Sequence, residues 1–261
     1  MPTFERDTVK IHFERSGDGP PLLLIAGMMS DHASWAPLVP LLEPHFTVIR
    51  LDNRTTGQTV PWNAPASVDL MAADCAGLID SVNLGRAHVL GHSMGGLVGM
   101  RLARRFPETV RSLTLAASAP LRLERNIAFF RTLLAVRQSN AAPATWLNAL
   151  FPWLFSPAAY EADGMIEQAL AASLAYPFAQ TAPAMAHQLA ALDGYVVDAI
   201  CDLRCPAQAL LAQDDLLIPA ALARPALEGM PVHMIEGAGH SIHWDQPQAV
   251  VDRLHEFANA H

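Results

Sequence analysis

Residues 88–100, HVLGHSMGGLVGM, place a serine among glycines where one apolar run gives way to another. Gly91 to Gly95 fits the pattern G-x-S-x-G, in which a serine occupies a sharp turn between a strand and a helix. The glycines are needed because a Cβ two residues from the serine would collide across the bend. The helix start also points amide N–H groups, including that of Met94, toward negative charge. The pattern therefore predicts that Ser93 is a nucleophile.

A serine hydroxyl is a poor nucleophile unless a base takes its proton and an acid orients that base. The predicted base is His240, in the loop sequence GAGH that follows an apolar run at 231–236. This is where open α/β sheets place their functional residues, just beyond the carboxyl end of a strand. His243 is the competing candidate, but His240 has the flexible glycine approach. The remaining histidines, such as His12, His88 and His187, are predicted to be ordinary surface or core residues.

The orienting acid is expected after a strand that lies between the serine and the histidine. The run PAQALLA at 206–212 is followed by Asp214 and Asp215. Asp215 is favoured because it precedes a turn into a short helix, whereas Asp214 could cap that helix or face water. The resulting chain order is serine, aspartate, histidine, with each residue at a strand end.

The oxyanion of such a reaction needs two N–H donors. Met94 supplies one, and the loop after the apolar run LLLIAG supplies the second, because Gly27 lets the backbone turn the Met28 N–H toward the serine. A simple strand-to-helix loop remains the alternative for that segment. Met29 and two aromatic residues further along, Trp146 and Trp153, are the predicted substrate-binding residues.

These residues lie on a repeating pattern of short apolar runs and helical segments. Strands are predicted at 22–27, 46–52, 87–93, 110–118, 206–212 and 231–236, helices at 68–83, 94–106 and 246–259, and an N-terminal antiparallel hairpin at 8–25. The alternation predicts an α/β fold with a mostly parallel central sheet and helices on both faces.

The segment 119–198 breaks this pattern. It contains no strand signal, is rich in alanine, leucine and aromatic residues, and is divided by prolines into short helices. We therefore predict a core formed by residues 1–118 and 199–261, with a helical cap at 119–198. Arginines of the first cap helix could bind a substrate carboxylate, but a solvated helix face is the favoured interpretation; they are Arg122, Arg125, Arg131 and Arg137.

Composition narrows the range of partners. Seventeen basic residues against 25 acidic ones give a net charge of −8, which disfavours nucleic-acid binding. No apolar stretch is long enough for a membrane span, and the charged N-terminus MPTFERDTVKIHF predicts no export signal. Of the three cysteines, Cys75, Cys201 and Cys205, the last two are four apart, but no second pair and no clustered histidine accompany them, which disfavours a zinc site. All three are predicted to be reduced thiols in the cytoplasm. We expect a monomer or homodimer that acts on a small molecule without metal or organic cofactor.

The chain resembles the α/β-hydrolase superfamily over nearly its whole length. The resemblance rests on GHSMGG, on the D-x-x-x-P segment from Asp215 to Pro219, and on GAGHSIHWDQP. The segment SDHASWAPLVPLL is similar to the subgroup of 3-oxoadipate enol-lactonases and small-ester hydrolases. Three positions depart from the usual pattern: Ala26 stands in place of a histidine, and Thr55 and Ala212 stand in place of glycines.

The resemblance implies a serine hydrolase that cleaves an ester or lactone through an acyl-enzyme, with Ser93 as nucleophile, Asp215 as acid, His240 as base and the Met28 and Met94 amides as oxyanion hole. Carbon–carbon bond hydrolysis and perhydrolysis would use the same residues, so the fold alone does not separate them. A small-molecule sensor that turns over slowly is the alternative from another functional class.

Overall fold

The computed structural model describes residues 2–261, which contain an eight-stranded sheet. Its strands are β1 (Thr3–Arg6), β2 (Val9–Ser16), β3 (Pro21–Ile25), β4 (Thr47–Leu51), β5 (Ala87–His92), β6 (Val110–Ala116), β7 (Ala207–Ala212) and β8 (Val232–Ile235). Their spatial order is β1-β2-β4-β3-β5-β6-β7-β8. β1 and β2 are antiparallel to their neighbours, and all pairs from β4 to β8 are parallel. The predicted mostly parallel sheet is confirmed.

Helices connect the parallel strands. They are α1 (Val39–Leu42), α2 (Val68–Val82), α3 (Met94–Arg105), α4 (Glu124–Gln138), α5 (Pro143–Leu154), α6 (Pro157–Glu161), α7 (Met165–Ala175), α8 (Ala182–Asp193), α9 (Ala220–Ala226), α10 (Ile242–Asp245) and α11 (Pro247–Asn259). Two short 3₁₀ helices occupy His32–Trp35 and Ile200–Asp202. Within residues 2–261, every helix is too short or too polar to cross a bilayer.

The central strands are apolar on both sides because each side faces a helical layer. Along β3, Leu23 and Ile25 join the apolar cluster that includes α2 and α3. Leu22 and Leu24 point the other way, into the cluster that includes α1 and α11. All four side chains are fully buried, and each such burial typically contributes about 1.5–3 kcal/mol. Burial on both faces explains why these strands appear in the sequence as continuous apolar runs.

The N-terminal hairpin differs from the prediction. The sequence predicts that residues 8–25 pair with one another, but β4 lies between β2 and β3. The reason is that β3 is buried on both faces and pairs in parallel with β4 and β5. The hairpin instead joins β1 to β2, and the chain reverses where Asp7 adopts a φ of 53°.

The segment between β6 and β7 contains α4 to α8. Its return to the sheet is fixed by Asp198, whose side chain is almost fully buried and binds the Arg101 and Arg104 guanidinium groups of α3 at 2.9 and 2.8 Å. The hydroxyl of Tyr195 also donates to Asp198, at 3.1 Å. We keep the name cap for residues 119–198, and its status as a separate domain stays a prediction.

Candidate active site

Ser93 occupies a strained turn between β5 and α3. Its φ of 53° and ψ of −122° lie outside the regions that side chains normally adopt, and such a conformation typically costs about 1–3 kcal/mol. A Cβ on Gly91 would lie 2.4 Å from the Gly95 carbonyl oxygen, and one on Gly95 would lie 2.0 Å from the Ile25 carbonyl oxygen. Neither position can therefore accept a side chain, as the G-x-S-x-G pattern requires.

The backbone of Ser93 is held from the neighbouring strand. Its N–H donates to the Ala116 carbonyl oxygen at 3.0 Å. The hydroxyl of Ser118 donates to the Ser93 carbonyl oxygen at 2.7 Å. These two bonds help to keep the unusual backbone angles in place, and the Ser93 side chain lines a cavity.

Asp215 and His240 meet at the carboxyl edge of the sheet. Nδ1 of the imidazole lies 2.9 and 3.1 Å from the two carboxylate oxygens. Oδ1 of Asp215 also accepts from the Leu217 and Ile218 N–H groups, both at 2.8 Å. When Nδ1–H donates a hydrogen bond to the carboxylate, the second ring nitrogen, Nε2, carries no proton and can act as base.

The competing residues from the sequence do not take these positions. Asp214 is half-buried, and its backbone N–H donates to the Ala238 carbonyl oxygen. His243 is buried in contact with Trp35 and His92, with ring-centroid distances of 4.9 and 4.5 Å. Burial and the neighbouring imidazoles lower the pKa of His243, so its ring is neutral.

His92 is a contributor that the sequence reasoning missed. Its Nε2 donates to the backbone carbonyl oxygen of His240 at 2.8 Å, and the two ring centroids are 4.9 Å apart. Burial, followed by the effect of His240, lowers the pKa of His92 to about 3. The residue directly before the candidate nucleophile Ser93 thus holds the loop that carries the candidate base His240. The direct bond from Ser93 to His240 stays a prediction, because the contacts of His240 described here go to Asp215 and His92.

The loop after β3 approaches the serine closely. A Cβ on Gly27 would lie 3.1 Å from the Ser93 Cβ, so the glycine permits this approach. Met28 is buried and lines the same cavity as Ser93. Met29 has a φ of 64°, and its N–H donates at 2.7 Å to Oε1 of Gln188, a fully buried cap residue. Sequence reasoning gave no signal for Gln188.

Met94 is the first residue of α3, so its N–H is among those without a partner inside the helix. The amides of Met28 and Met94 thus belong to the two segments that flank the serine. Their role as an oxyanion hole stays a prediction.

The cavity beside Ser93 is small and mostly aliphatic, with a volume of about 50 Å³. Core and cap both contribute to it through Met28, Met94, Leu97, Leu121, Ile127, Phe130, Leu192, Leu217 and Ile218. Since about 10–15 Å³ of such space holds one water, the cavity has room for roughly three to five groups of that size. This favours a short, apolar substrate portion next to the serine.

The predicted substrate-binding aromatics lie elsewhere in the cap. Trp153 stacks on Phe129 at a centroid distance of 4.3 Å, and the Arg137 guanidinium lies 4.2 Å from the Trp146 ring centroid. Neither tryptophan lines the cavity, and nor does Met29. Their role in substrate binding stays a prediction for the wider entrance.

The four arginines predicted for the first cap helix have partners within the protein, although Arg122 precedes α4, which begins at Glu124. Arg122 and Arg131 both bind Asp193, with Arg131 at 2.7 Å. Arg125 and Arg137 donate to backbone carbonyl oxygens. Arg122 also reaches the cavity wall, but its ion pairs leave it poorly suited to bind a substrate carboxylate.

Comparison with known proteins matches these features to one family. A family model described as the alpha/beta hydrolase family matches residues 22–253. This chain belongs to the alpha/beta hydrolase family. The predicted family and fold class are therefore confirmed, and the protein is a hydrolase.

Relatives of this hydrolase have several names. A protein of Azorhizobium caulinodans, provisionally named carbamate hydrolase RutD, is 32% identical over 236 residues, covering 88% of this chain and 87% of the relative. The enol-lactonase from Burkholderia xenovorans LB400 superposes with a TM-score of 0.85 at 22% identity, covering 99% of this chain and 100% of that one. A thermophilic esterase from Thermogutta terrifontis superposes with a TM-score of 0.82 at 25% identity, covering 97% and 94%.

Two departures from the family pattern have structural substitutes in this hydrolase. Thr55 stands where a glycine is usual and has a φ of 74°, which is rare for a β-branched residue. The buried amide of Gln180, in the cap, donates to the Thr55 carbonyl oxygen at 3.0 Å and helps to hold it. In the loop after β3, Ala26 stands where the family usually has a histidine. Asn53 holds this loop, because its Nδ2 donates to the Ala26 carbonyl oxygen at 3.1 Å. Nothing in the structure explains Ala212, which is buried in β7.

Proposed function

We propose that this hydrolase cleaves a carboxylic ester or lactone of a small, largely apolar substrate through an acyl-enzyme intermediate. The observation that carries the proposal is the contact between Nδ1 of His240 and Oδ2 of Asp215, which are 2.9 Å apart. The backbone of His240 is in turn bound by His92, the residue before the strained turn of Ser93. The aliphatic cavity next to that serine supports a short acyl group.

The proposed reaction begins when His240 takes the Ser93 proton as Oγ attacks the substrate carbonyl carbon. Asp215 keeps the imidazole oriented and stabilises its positive charge. The negative charge on the carbonyl oxygen is stabilised by the Met28 and Met94 N–H groups, each typically worth about 3 kcal/mol of barrier. The protonated imidazole then gives its proton to the leaving alcohol, and the acyl group remains on Ser93.

Deacylation uses the same residues in the reverse direction. His240 removes a proton from water, the resulting hydroxide attacks the acyl carbon, and the tetrahedral intermediate expels Ser93 with its proton restored. Apart from water and the substrate, these steps use only groups of the chain. We also propose a cytoplasmic location, which is supported by the unpaired thiols of Cys75, Cys201 and Cys205.

Hydrolysis of a carbamate is the second candidate. It is favoured by the relatives that are provisionally named carbamate hydrolase RutD, of which one from Escherichia coli O127:H6 is 28% identical over 239 residues, covering 88% of each protein. A carbamate has the same carbonyl geometry as an ester, so the proposed residues would act on it in the same order. The two candidates differ in the group that must fit beside Ser93.

The test compares turnover of p-nitrophenyl acetate, butyrate and octanoate, a set of small lactones, and phenyl carbamate. We expect repeated turnover of the short esters or lactones and a loss of at least 1,000-fold in kcat for Ser93→Ala, in line with the effect of removing a triad nucleophile. Ser81→Ala is the matched control, because that hydroxyl donates to the Leu78 carbonyl oxygen within α2.

Three outcomes would contradict the proposal. Turnover retained by Ser93→Ala would refute the acyl-enzyme. Faster turnover of phenyl carbamate than of every ester and lactone would favour the second candidate. A single stoichiometric burst without further turnover would favour the small-molecule sensor.

A further inference from the structure

Two histidines and a glutamate converge at the edge of the sheet, outside the proposed catalytic residues. His12 and Glu14 are two residues apart on β2, so they project from the same face of the strand. His32 opens the 3₁₀ helix that follows the loop from Gly27 to Ser30. One ligand atom from each residue lies within 4.8 Å of the others. Both imidazoles are buried, and the glutamate side chain is 34% exposed.

Hydrogen bonds already orient all three side chains, and Nε2 of His12 lies 3.3 Å from the side-chain amide nitrogen of Gln58. Nδ1 of His32 lies 2.7 Å from Oδ1 of the fully buried Asp52, and its Nε2 faces Oε1 of Glu14 at 3.5 Å. The other carboxylate oxygen of Glu14 accepts from the Arg50 guanidinium. Metal-bound histidines are typically held in this way by a carboxylate on their second nitrogen, and metal-bound carboxylates by a further hydrogen bond.

The charges around the cluster do not balance. Three carboxylates lie here, those of Glu14, Asp31 and Asp52, and Arg50 is the one guanidinium bound to them in the described contacts. With neutral imidazoles the cluster carries a surplus of two negative charges.

We propose that His12, Glu14 and His32 form a binding site for a divalent transition metal ion of the zinc class. Two imidazoles and one carboxylate form a ligand set that zinc prefers, with water able to complete a tetrahedron. Zinc bonds of about 2.0–2.1 Å place neighbouring tetrahedral ligands roughly 3.4 Å apart, and the measured separation of Nε2 and Oε1 is 3.5 Å. A divalent ion would also neutralise the two surplus charges.

The ion would join β2 to the 3₁₀ helix behind the proposed oxyanion loop. Its role is to hold that helix in place, and no step of acyl transfer passes through it. The site departs from the expectation, drawn from the sequence, that His12 is an ordinary core or surface residue and that no metal binds. Sequence spacing gave no signal because the ligands come from a strand and a distant loop.

The competing interpretation is an imidazolium. Although burial acts to lower it, the pKa of His32 is raised, because the hydrogen bond and negative charge of Asp52 outweigh burial. A protonated His32 between Asp52 and Glu14 would satisfy both carboxylates without a metal. The experiment must therefore detect the ion itself.

The test is a calorimetric titration of zinc chloride into the full-length protein after treatment with EDTA and dialysis. We expect one zinc per chain, and at least a 10-fold weaker affinity in Glu14→Gln. Glu14 is partly exposed, so this variant should remain folded. Glu5→Gln on β1 is the matched control, because Glu5 is exposed and outside the cluster.

Two further measurements locate the ion. Cobalt in place of zinc should give the strong visible absorption of a tetrahedral site, and zinc should raise the Tm of the wild type but not of Glu14→Gln. The exposed His45 and the half-buried His255 form a pair with ring centroids 4.2 Å apart, which could bind zinc adventitiously. Zinc binding that survives Glu14→Gln but disappears in His255→Ala would overturn the proposal. Absence of zinc binding to the wild type would also overturn it, in favour of the imidazolium.

Discussion

Replacing Gln188 by leucine tests whether the cap positions the proposed oxyanion loop. Oε1 of Gln188 accepts from the Met29 N–H at 2.7 Å and from Nε2 of Gln180 at 3.1 Å. These two donors require an acceptor, so the orientation of the Gln188 amide is defined by its partners. Leucine fills a similar volume but accepts neither hydrogen bond.

The expected magnitude follows from the groups left without a partner. An unpaired, partly buried N–H costs about 1–3 kcal/mol, and Met29 already has a left-handed backbone whose strain is typically about 1–3 kcal/mol. The loop can therefore lower its energy by turning away from this geometry, which would displace the neighbouring Met28 N–H. Since one oxyanion donor is worth about 3 kcal/mol, we expect kcat to fall about 10- to 100-fold. KM should change little, because the donor acts mainly on the transition state.

The assay measures kcat and KM for the best ester or lactone, with folding checked by circular dichroism and urea unfolding. His187→Leu is the control, because that side chain is exposed on the same helix. Gln188→Glu retains an acceptor for the Met29 N–H and should preserve the loop better than leucine does. A folded Gln188→Leu protein with the wild-type kcat would refute the reasoning, because the loop would then hold its position without the cap.

Three further changes test the stability of the framework. Thr55→Gly should raise the free energy of unfolding by up to about 1 kcal/mol in urea titrations, because glycine adopts positive φ without strain. A lower free energy of unfolding would show that the contacts of the threonine side chain contribute more than its backbone strain costs. Arg54→Met should lower that free energy by up to about 3–5 kcal/mol, because the buried Asp74 loses its partner at 2.6 Å and keeps only the Arg6 guanidinium at 3.4 Å. A loss below 1 kcal/mol would contradict this. His243 and His92 have lowered pKa values in the folded state, so below about pH 6.5 only the unfolded chain binds protons at these rings. The free energy of unfolding therefore decreases as pH is lowered below about 6.5, by up to about 1.4 kcal/mol per pH unit for each ring. His243→Leu should remove one such contribution from the difference between urea titrations at pH 7 and pH 5, and an unchanged pH dependence would contradict the assignment.

Local sequence patterns were sufficient to predict the parallel strands of the sheet and to select candidate catalytic residues at their ends. The predicted strand at 87–93 corresponds to β5, Ala87–His92, because a strand buried on both faces must be continuously apolar. Ser93 could be found because its turn restricts the residues on either side to glycine. Asp215 and His240 could be found because both directly follow strands of a parallel sheet, whose carboxyl ends meet at one edge.

Contacts between segments that are distant along the chain could not be predicted from local sequence patterns. Gln188 binds Met29 across 159 positions of the chain, and no periodicity within the cap indicates that one glutamine faces inward. The substitution of glycine by Thr55 was visible in the sequence, but its support by Gln180 depends on how the cap lies on the core. The prediction of an N-terminal hairpin at 8–25 was wrong for a related reason, because the sequence does not show that another strand lies between β2 and β3.

The chain leaves the sheet after β6 and re-enters it at β7, and these two strands are direct neighbours. Everything between them is therefore a single crossover, and the strand ends that carry Ser93, Asp215 and His240 lie outside it. Evolution could exchange this crossover as a unit and so change which substrates fit, provided that the new segment again supplies an acceptor for the Met29 N–H. A laboratory exchange of the same stretch between relatives is the corresponding route to altered selectivity.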